Sequence, residues 1–134
     1  MRIEVPQLPP EESSPNWRGH WTGRYKAGRV YHDAVYYCCV DAIYRAGQGR
    51  RPHSKSRLEL TFVFPQQRKR DRDNLIAMFK PGLDAMVQAG LLEDDDSRHL
   101  EIGAVRVEVD RERAPLTIIE LAEKNRLGKG AETK

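Results

Sequence analysis

Leu58, Leu60, Phe62 and Phe64 fall on alternate positions, and Pro65 follows them. A period of two puts these side chains on one face of a strand, and the proline ends it. Directly downstream, Leu75, Phe79, Leu83 and Met86 form one stripe at helical spacing over about 74–89, with Gly90 as the stop. Pro81 lies inside that stripe and should kink or split the helix. A strand feeding a helix is thus fixed at the centre of the chain, and the remaining elements must pack on it.

Residues 2–5, Arg-Ile-Glu-Val, alternate as a short strand stopped by Pro6 and Pro9-Pro10. The stretch 11–28 is rich in Pro, Gly and polar residues and reads as a loop. From about 29 to 46, Tyr31, Val35, Cys38, Cys39, Ala42 and Ile43 recur at helical spacing before Gly47. Residues 47–57 form a basic loop holding Arg50, Arg51, Lys55 and Arg57. Val105, Val107 and Val109 mark a third strand, and Leu116 to Leu121 a fourth. The order β-α-β-α-β-β predicts an α+β fold, a small mixed sheet of about four strands packed against two main helices. A single domain is expected over 1–125, with 126–134 as a frayed tail. Such a sheet leaves one face open, which a homodimer would cover.

A length of 134 residues supports one core. The chain has 39% hydrophobic and 32% charged residues, and no apolar run approaches the roughly 18 needed to cross a bilayer. The start, Met1-Arg2-Ile3-Glu4-Val5-Pro6, has no apolar signal core. The two cysteines, Cys38 and Cys39, are adjacent and read as reduced core thiols, so a cytoplasmic location is expected. The net charge of +3 is unevenly distributed. Residues 1–72 hold 14 Lys and Arg against 7 acids, whereas 73–134 hold 9 against 13. The basic half suits a polyanion such as nucleic acid. Trp17, Trp21 and Tyr25 lie among Arg18, Arg24 and Lys26. Aromatics interleaved with cations can stack bases while pairing phosphates. Each tryptophan could equally anchor a long loop to the core.

Asp71 and Asp73 flank Arg72 between the strand and the helix. In an extended segment, side chains two apart point the same way, so both carboxylates could face one ion. Mg²⁺ takes oxygen ligands and commonly only one or two carboxylates, with water and substrate phosphate completing its shell. Arg68, Lys69, Arg70 and Arg72 would draw a DNA backbone toward it. A second acidic group, Asp94-Asp95-Asp96, follows Gly90. The same residues also admit plain structural roles: Asp73 as a helix N-cap and the acidic run as a solvated turn. His20, His32, His53 and His99 show no ligand spacing, so no zinc site is expected.

The stretch Arg70-Asp71-Arg72-Asp73-Asn74-Leu75, then Phe79-Lys80, Leu83-Asp84-Ala85, Ala89-Gly90-Leu91 and Asp94-Asp95, resembles the core of RusA-type Holliday junction resolvases. The opening Leu8-Pro9-Pro10, Ser14-Pro15-Asn16 and Trp21 is similar to that family's N-terminal segment, so the likeness covers roughly residues 2–122. It implies a homodimeric endonuclease that cuts four-way DNA junctions by paired nicks with Mg²⁺, for which Mn²⁺ would substitute. The implied metal ligands are Asp71, Asp73 and Asp95, with Asp94 adjacent, and the implied catalytic lysine is Lys80. One departure is plain: the family's lysine usually stands four residues after the second aspartate, where this chain has Ala77. Lys80 comes three residues later, close to one helical turn, and keeps its place four before Asp84. An i,i+4 ion pair with Asp84 is its structural alternative. The cations Arg50, Arg51, Lys55, Arg24 and Lys26 and the amide of Asn16 complete the expected DNA surface. Two other readings fit the same residues: a branched-DNA binder without chemistry, and a nuclease for flaps or forks. A helix of about 16 residues would be ~24 Å long and would carry Asp95 away from Asp73, so its return within one chain, or its supply by a second subunit, stays open.

Overall fold

The alternating segment becomes β2, Ser56–Phe64, one of the two interior strands of a four-stranded sheet ordered β1-β4-β2-β3. The computed structural model describes residues 1–47 and 52–124. Arg50, Arg51 and the tail 126–134 lie outside the described residues. β1 (Arg2–Val5) pairs antiparallel with β4 (Leu116–Glu123), β4 antiparallel with β2, and β2 parallel with β3 (Leu100–Val109). Parallel neighbours need a crossover, and the helical segment between β2 and β3 supplies it. The expected α+β architecture with a mixed sheet is therefore what the chain adopts.

β3 starts five residues before the expected valine run. Leu58 pairs with Ile102 but Leu60 with Val105, so β3 carries one extra residue in the interval holding Gly103 and Ala104. That bulge breaks the period-two pattern over 100–104 and hides the strand from an alternation test.

The first helix is also longer than expected. α1 spans Trp21–Ala46 and absorbs eight residues that read as loop. His20 caps it, its Nδ1 accepting from the Thr22 backbone N–H at 3.1 Å. Gly23 and Gly28 argue against a helix on propensity alone. Here packing overrides propensity, because the Trp17 ring lies against Gly23 and Pro81 lies against Gly28. Tyr31, Val35 and Cys39 form the buried stripe, and burial pushes the Cys39 thiol up to about 12. Both thiols are free, in keeping with inert core groups.

The second helix is split at the proline. α2 covers Arg72–Met78 and α3 covers Lys80–Ala89, joined at Phe79. Pro81 sits in the first turn of α3, where a missing N–H costs no hydrogen bond. Phe79 is fully buried and meets the rings of Tyr31 and Phe62 edge-on, with centroids 6.1 and 6.3 Å away. Gly90 closes α3 at φ 91°, ψ 18°, a left-handed conformation that glycine takes without strain.

The main core joins Ile3, Leu58, Leu60, Phe62, Ile119 and Leu121 of the sheet to the buried faces of the helices. The opposite sheet face is dominated by ion pairs: Arg57 with Glu59 and Glu101, Arg106 with Glu59 and Glu120, Arg2 with Glu4 and Glu120. Val63, Leu116 and Ile118 of that face are already buried within the chain. The open face expected from sequence is therefore lined by ion pairs rather than by bare apolar side chains among the described residues. No helix of the described residues is long and apolar enough to cross a membrane.

Truncating Phe79 removes the ring that joins α2, α3, α1 and β2. Phe79→Ala should cost about 3–5 kcal/mol in urea unfolding. Gly82→Ala, whose Cβ would fall 2.6 Å from a Phe79 ring carbon, should cost about 1–3 kcal/mol by overpacking.

Candidate functional site

The turn from β2 into α2 positions the first aspartate. Asp71 is extended at φ −99°, ψ 123°, and its Oδ1 accepts from the Asp73 N–H at 3.0 Å. Asp71, not Asp73, is therefore the N-cap of α2. Asp73 lies in the first helical turn, where its charge favours the positive end of the helix dipole. The two carboxylates do not share the extended conformation assumed from their spacing, because the helix begins at Arg72.

The N-terminal segment folds onto this cap. A 3₁₀ turn at Glu11–Ser13 leads to Ser14, which is buried and whose Oγ hydrogen-bonds the Asn74 side-chain oxygen at 3.0 Å. Ser14 Oγ also accepts from the Asn16 N–H at 3.1 Å, and its carbonyl accepts from Arg24 at 2.7 Å. The result is a groove of about 1110 Å³ in which Pro9, Pro10, Ser14 and Asn16 face Arg68, Lys69, Arg70, Asp71 and Asn74. Segments sixty residues apart in sequence are joined here through one serine.

The cations of this wall divide. Arg70 folds back, its guanidinium 3.6 Å from the centre of the Phe64 ring and its Nη1 donating to the Gln66 and Arg68 carbonyls at 3.1 and 3.2 Å. It shapes the turn. Arg68, Lys69 and Arg72 are exposed and available to an anion, as are Arg24, Lys26 and Lys55.

Lys80, the first residue of α3, makes a second cluster. Its Nζ donates to Asp84 Oδ1 at 2.9 Å and to Asp95 Oδ2 at 2.5 Å. The i,i+4 pair with Asp84, the structural alternative drawn from sequence, is thus present, and the same ammonium also meets the acidic run. Asp95 returns because the chain reverses at Gly90 and is pinned by buried Leu91 and Leu92, with the Leu91 carbonyl accepting from His53 N–H at 3.0 Å. The ten residues of α3, about 15 Å, can be retraced by the following segment. Lys80 and Asp95 therefore meet within one chain.

Hydrogen bonds that Lys80 donates to Asp95 and then Asp84 raise its pKa, and the Lys80 ammonium lowers that of Asp95. Lys80 is consequently a cation at neutral pH, able to offset negative charge but unsuited to accept a proton.

Among the described residues, the group of three or more metal-type ligands with atoms within 4.8 Å of one another is Asp94, Asp96 and His99. His99 carried no signal in sequence because its neighbour is made by a turn. Asp96 Oδ1 accepts from the Arg98 and His99 N–H groups and meets His99 Nδ1 at 2.6 Å. Those bonds account for the cluster as an aspartate-capped turn. Asp71, Asp73 and Asp95 are not gathered at that distance. Asp71 and Asp73 are exposed and Asp95 is half-buried; carboxylate oxygens are the donors Mg²⁺ takes, and one or two such ligands suffice.

No protein-family model matches this chain, and no curated protein matches it.

The Lys80–Asp95 pair has a titration signature. An acid whose folded pKa is depressed contributes stability above its unfolded pKa and loses it as pH falls through the folded value. Asp95 should titrate below the usual carboxylate range in a carbon-detected NMR experiment and move back up in Lys80→Ala. The accompanying loss of stability at neutral pH should be only about 0.2–1 kcal/mol, because Lys80 is largely exposed.

Proposed function

We propose that this protein is a Mg²⁺-dependent endonuclease of branched DNA, resolving four-way junctions by paired phosphodiester hydrolysis. The observation that carries the reading is the single groove in which Pro9, Pro10, Ser14 and Asn16 meet Asp71 and Asn74. The N-terminal segment and the Asp71–Asn74 stretch are two of the separated pieces through which the chain resembles RusA-type resolvases. A second support is Lys80, displaced in sequence yet next to Asp95 in space.

In this reading Asp71 and Asp73 hold the metal, with Asp95 and Asp94 as further candidate ligands. Mg²⁺, when bound, supplies charge neutralisation at the scissile phosphate and a more acidic water. Arg68, Lys69 and Arg72 bind the flanking phosphates and orient the strand. Lys80, held as a cation, offsets charge developing on the phosphate or on the leaving oxygen. Asp71 has a double duty, since the oxygen that caps α2 belongs to a proposed ligand. A homodimer would place two such sites for paired nicks.

A nonenzymatic branched-DNA binder is favoured by one observation, the engagement of Asp95 by Lys80, which leaves that carboxylate neutralised by a side chain. The two readings separate on a labelled synthetic four-way junction with Mg²⁺ or Mn²⁺. Wild type should nick it, and Asp73→Asn should lose activity by about 10²-fold or more. Asp71→Asn keeps a capping oxygen and should fold normally while losing cleavage, whereas Asp71→Ala should also cost about 1 kcal/mol of stability. Binding without any nicking would leave the nonenzymatic reading standing. Faster cutting of flaps or forks than of junctions would reassign the substrate.

A further inference from the structure

The aromatic and basic stretch 17–29 holds two tryptophans, and the fold treats them differently. The Trp17 ring lies against the chain at Gly19 and Gly23, where a Cβ would fall 2.1 and 3.0 Å from ring carbons. Trp17 is an anchor for the entry into α1. Trp21 and Tyr25 stand one helical turn apart on α1 and are 69% and 63% exposed. A cost in hydration attends two large rings held in solvent on one face, and such a patch commonly marks a binding surface.

These rings border a cavity of about 650 Å³ between α1 and the start of α3. Its charged walls are Arg24, Arg29 and Lys80, against the single carboxylate Asp84, with His32 beside them. Arg29 pairs with Asp33 at 3.5 Å but keeps a 63% exposed side chain. Arg24 already donates to the Ser14 carbonyl, and Arg29 and Lys80 have carboxylate partners, yet all three keep exposed donors that an apolar protein partner would cover without offering an acceptor. A nucleotide suits both features, since every base has a π-face to stack and every phosphate a charge to pair. Only an unstacked base presents that face, because the bases of a duplex already cover one another. The volume lies in the range usual for one bound small molecule or a comparable group. Lys80 belongs to this cavity and also to the Asp95 cluster, so a base held here lies beside the candidate chemistry.

We propose that Trp21 and Tyr25 form a stacking platform for an unpaired nucleobase, with Arg24 and Arg29 binding the phosphates that flank it. This inference rests on the reading of the chain as a DNA-processing protein, and it names the feature of branched DNA that the site selects: an unstacked nucleotide.

The test uses the full chain in EDTA, so that no cleavage occurs. A single-stranded oligothymidylate carrying one 2-aminopurine and a blunt duplex of equal length are titrated separately. Wild type should change the 2-aminopurine fluorescence on binding. Trp21→Ala should weaken single-strand binding roughly tenfold to hundredfold, with duplex binding changed by less than about twofold. Trp21→Phe should restore most of the loss, and circular dichroism melting should show that each variant folds. Undiminished single-strand binding by Trp21→Ala overturns the proposal, as does an equal loss on duplex. Self-association of wild type in sedimentation, abolished by Trp21→Ala, overturns it in favour of a second copy as occupant. Junction cleavage by wild type together with normal binding by Trp21→Ala sinks the platform alone. Trp21-dependent single-strand binding without junction cleavage supports the platform and removes the junction-resolving reading.

Discussion

Phe79 is the contact on which the arrangement of the candidate residues depends. Its ring is fully buried between Tyr31 of α1 and Phe62 of β2, so it joins both layers of the fold. Because it also stands between α2 and α3, its position sets where one helix ends and the next begins. Asp73 belongs to the first helix and Lys80 to the second. A single straight helix would have carried Lys80 and everything after it along one axis. Burying Phe79 at the joint, with Gly82 small enough to lie against its ring, permits the break.

The electrostatics of the molecule are local. The ion pairs on the outer sheet face join largely exposed side chains, where each contributes little. In the Lys80 cluster one ammonium meets Asp84 of its own helix and Asp95 from beyond Gly90, and Asp95 is the more buried of the two. A divalent cation approaching Asp95 would compete with Lys80 for the same oxygen.

The likeness of 21–28 to a loop and its actual fold illustrate how composition misleads. Two glycines and a cluster of aromatics lower helix propensity, and the helix forms because Trp17 and Pro81 occupy the space those glycines leave. The same packing separates an anchoring tryptophan from an exposed one, a distinction with no counterpart in residue type or spacing.

The sequence by itself determined the element types, the strand ending at Pro65, the proline break and the glycine that ends α3, because these follow from periodicity and backbone stereochemistry over a few residues. It also placed Asp71, Asp73, Lys80 and Asp95 among the residues of interest. Tertiary structure decided how they are used. Asp71 became the cap of α2, Arg70 was folded over Phe64, and Asp95 was returned to Lys80 by the reversal at Gly90. It also joined Ser14 to Asn74 across the length of two elements and exposed Trp21 beside Lys80. Contacts of that range depend on which faces pack together, and the spacing of residues along a chain does not carry that information.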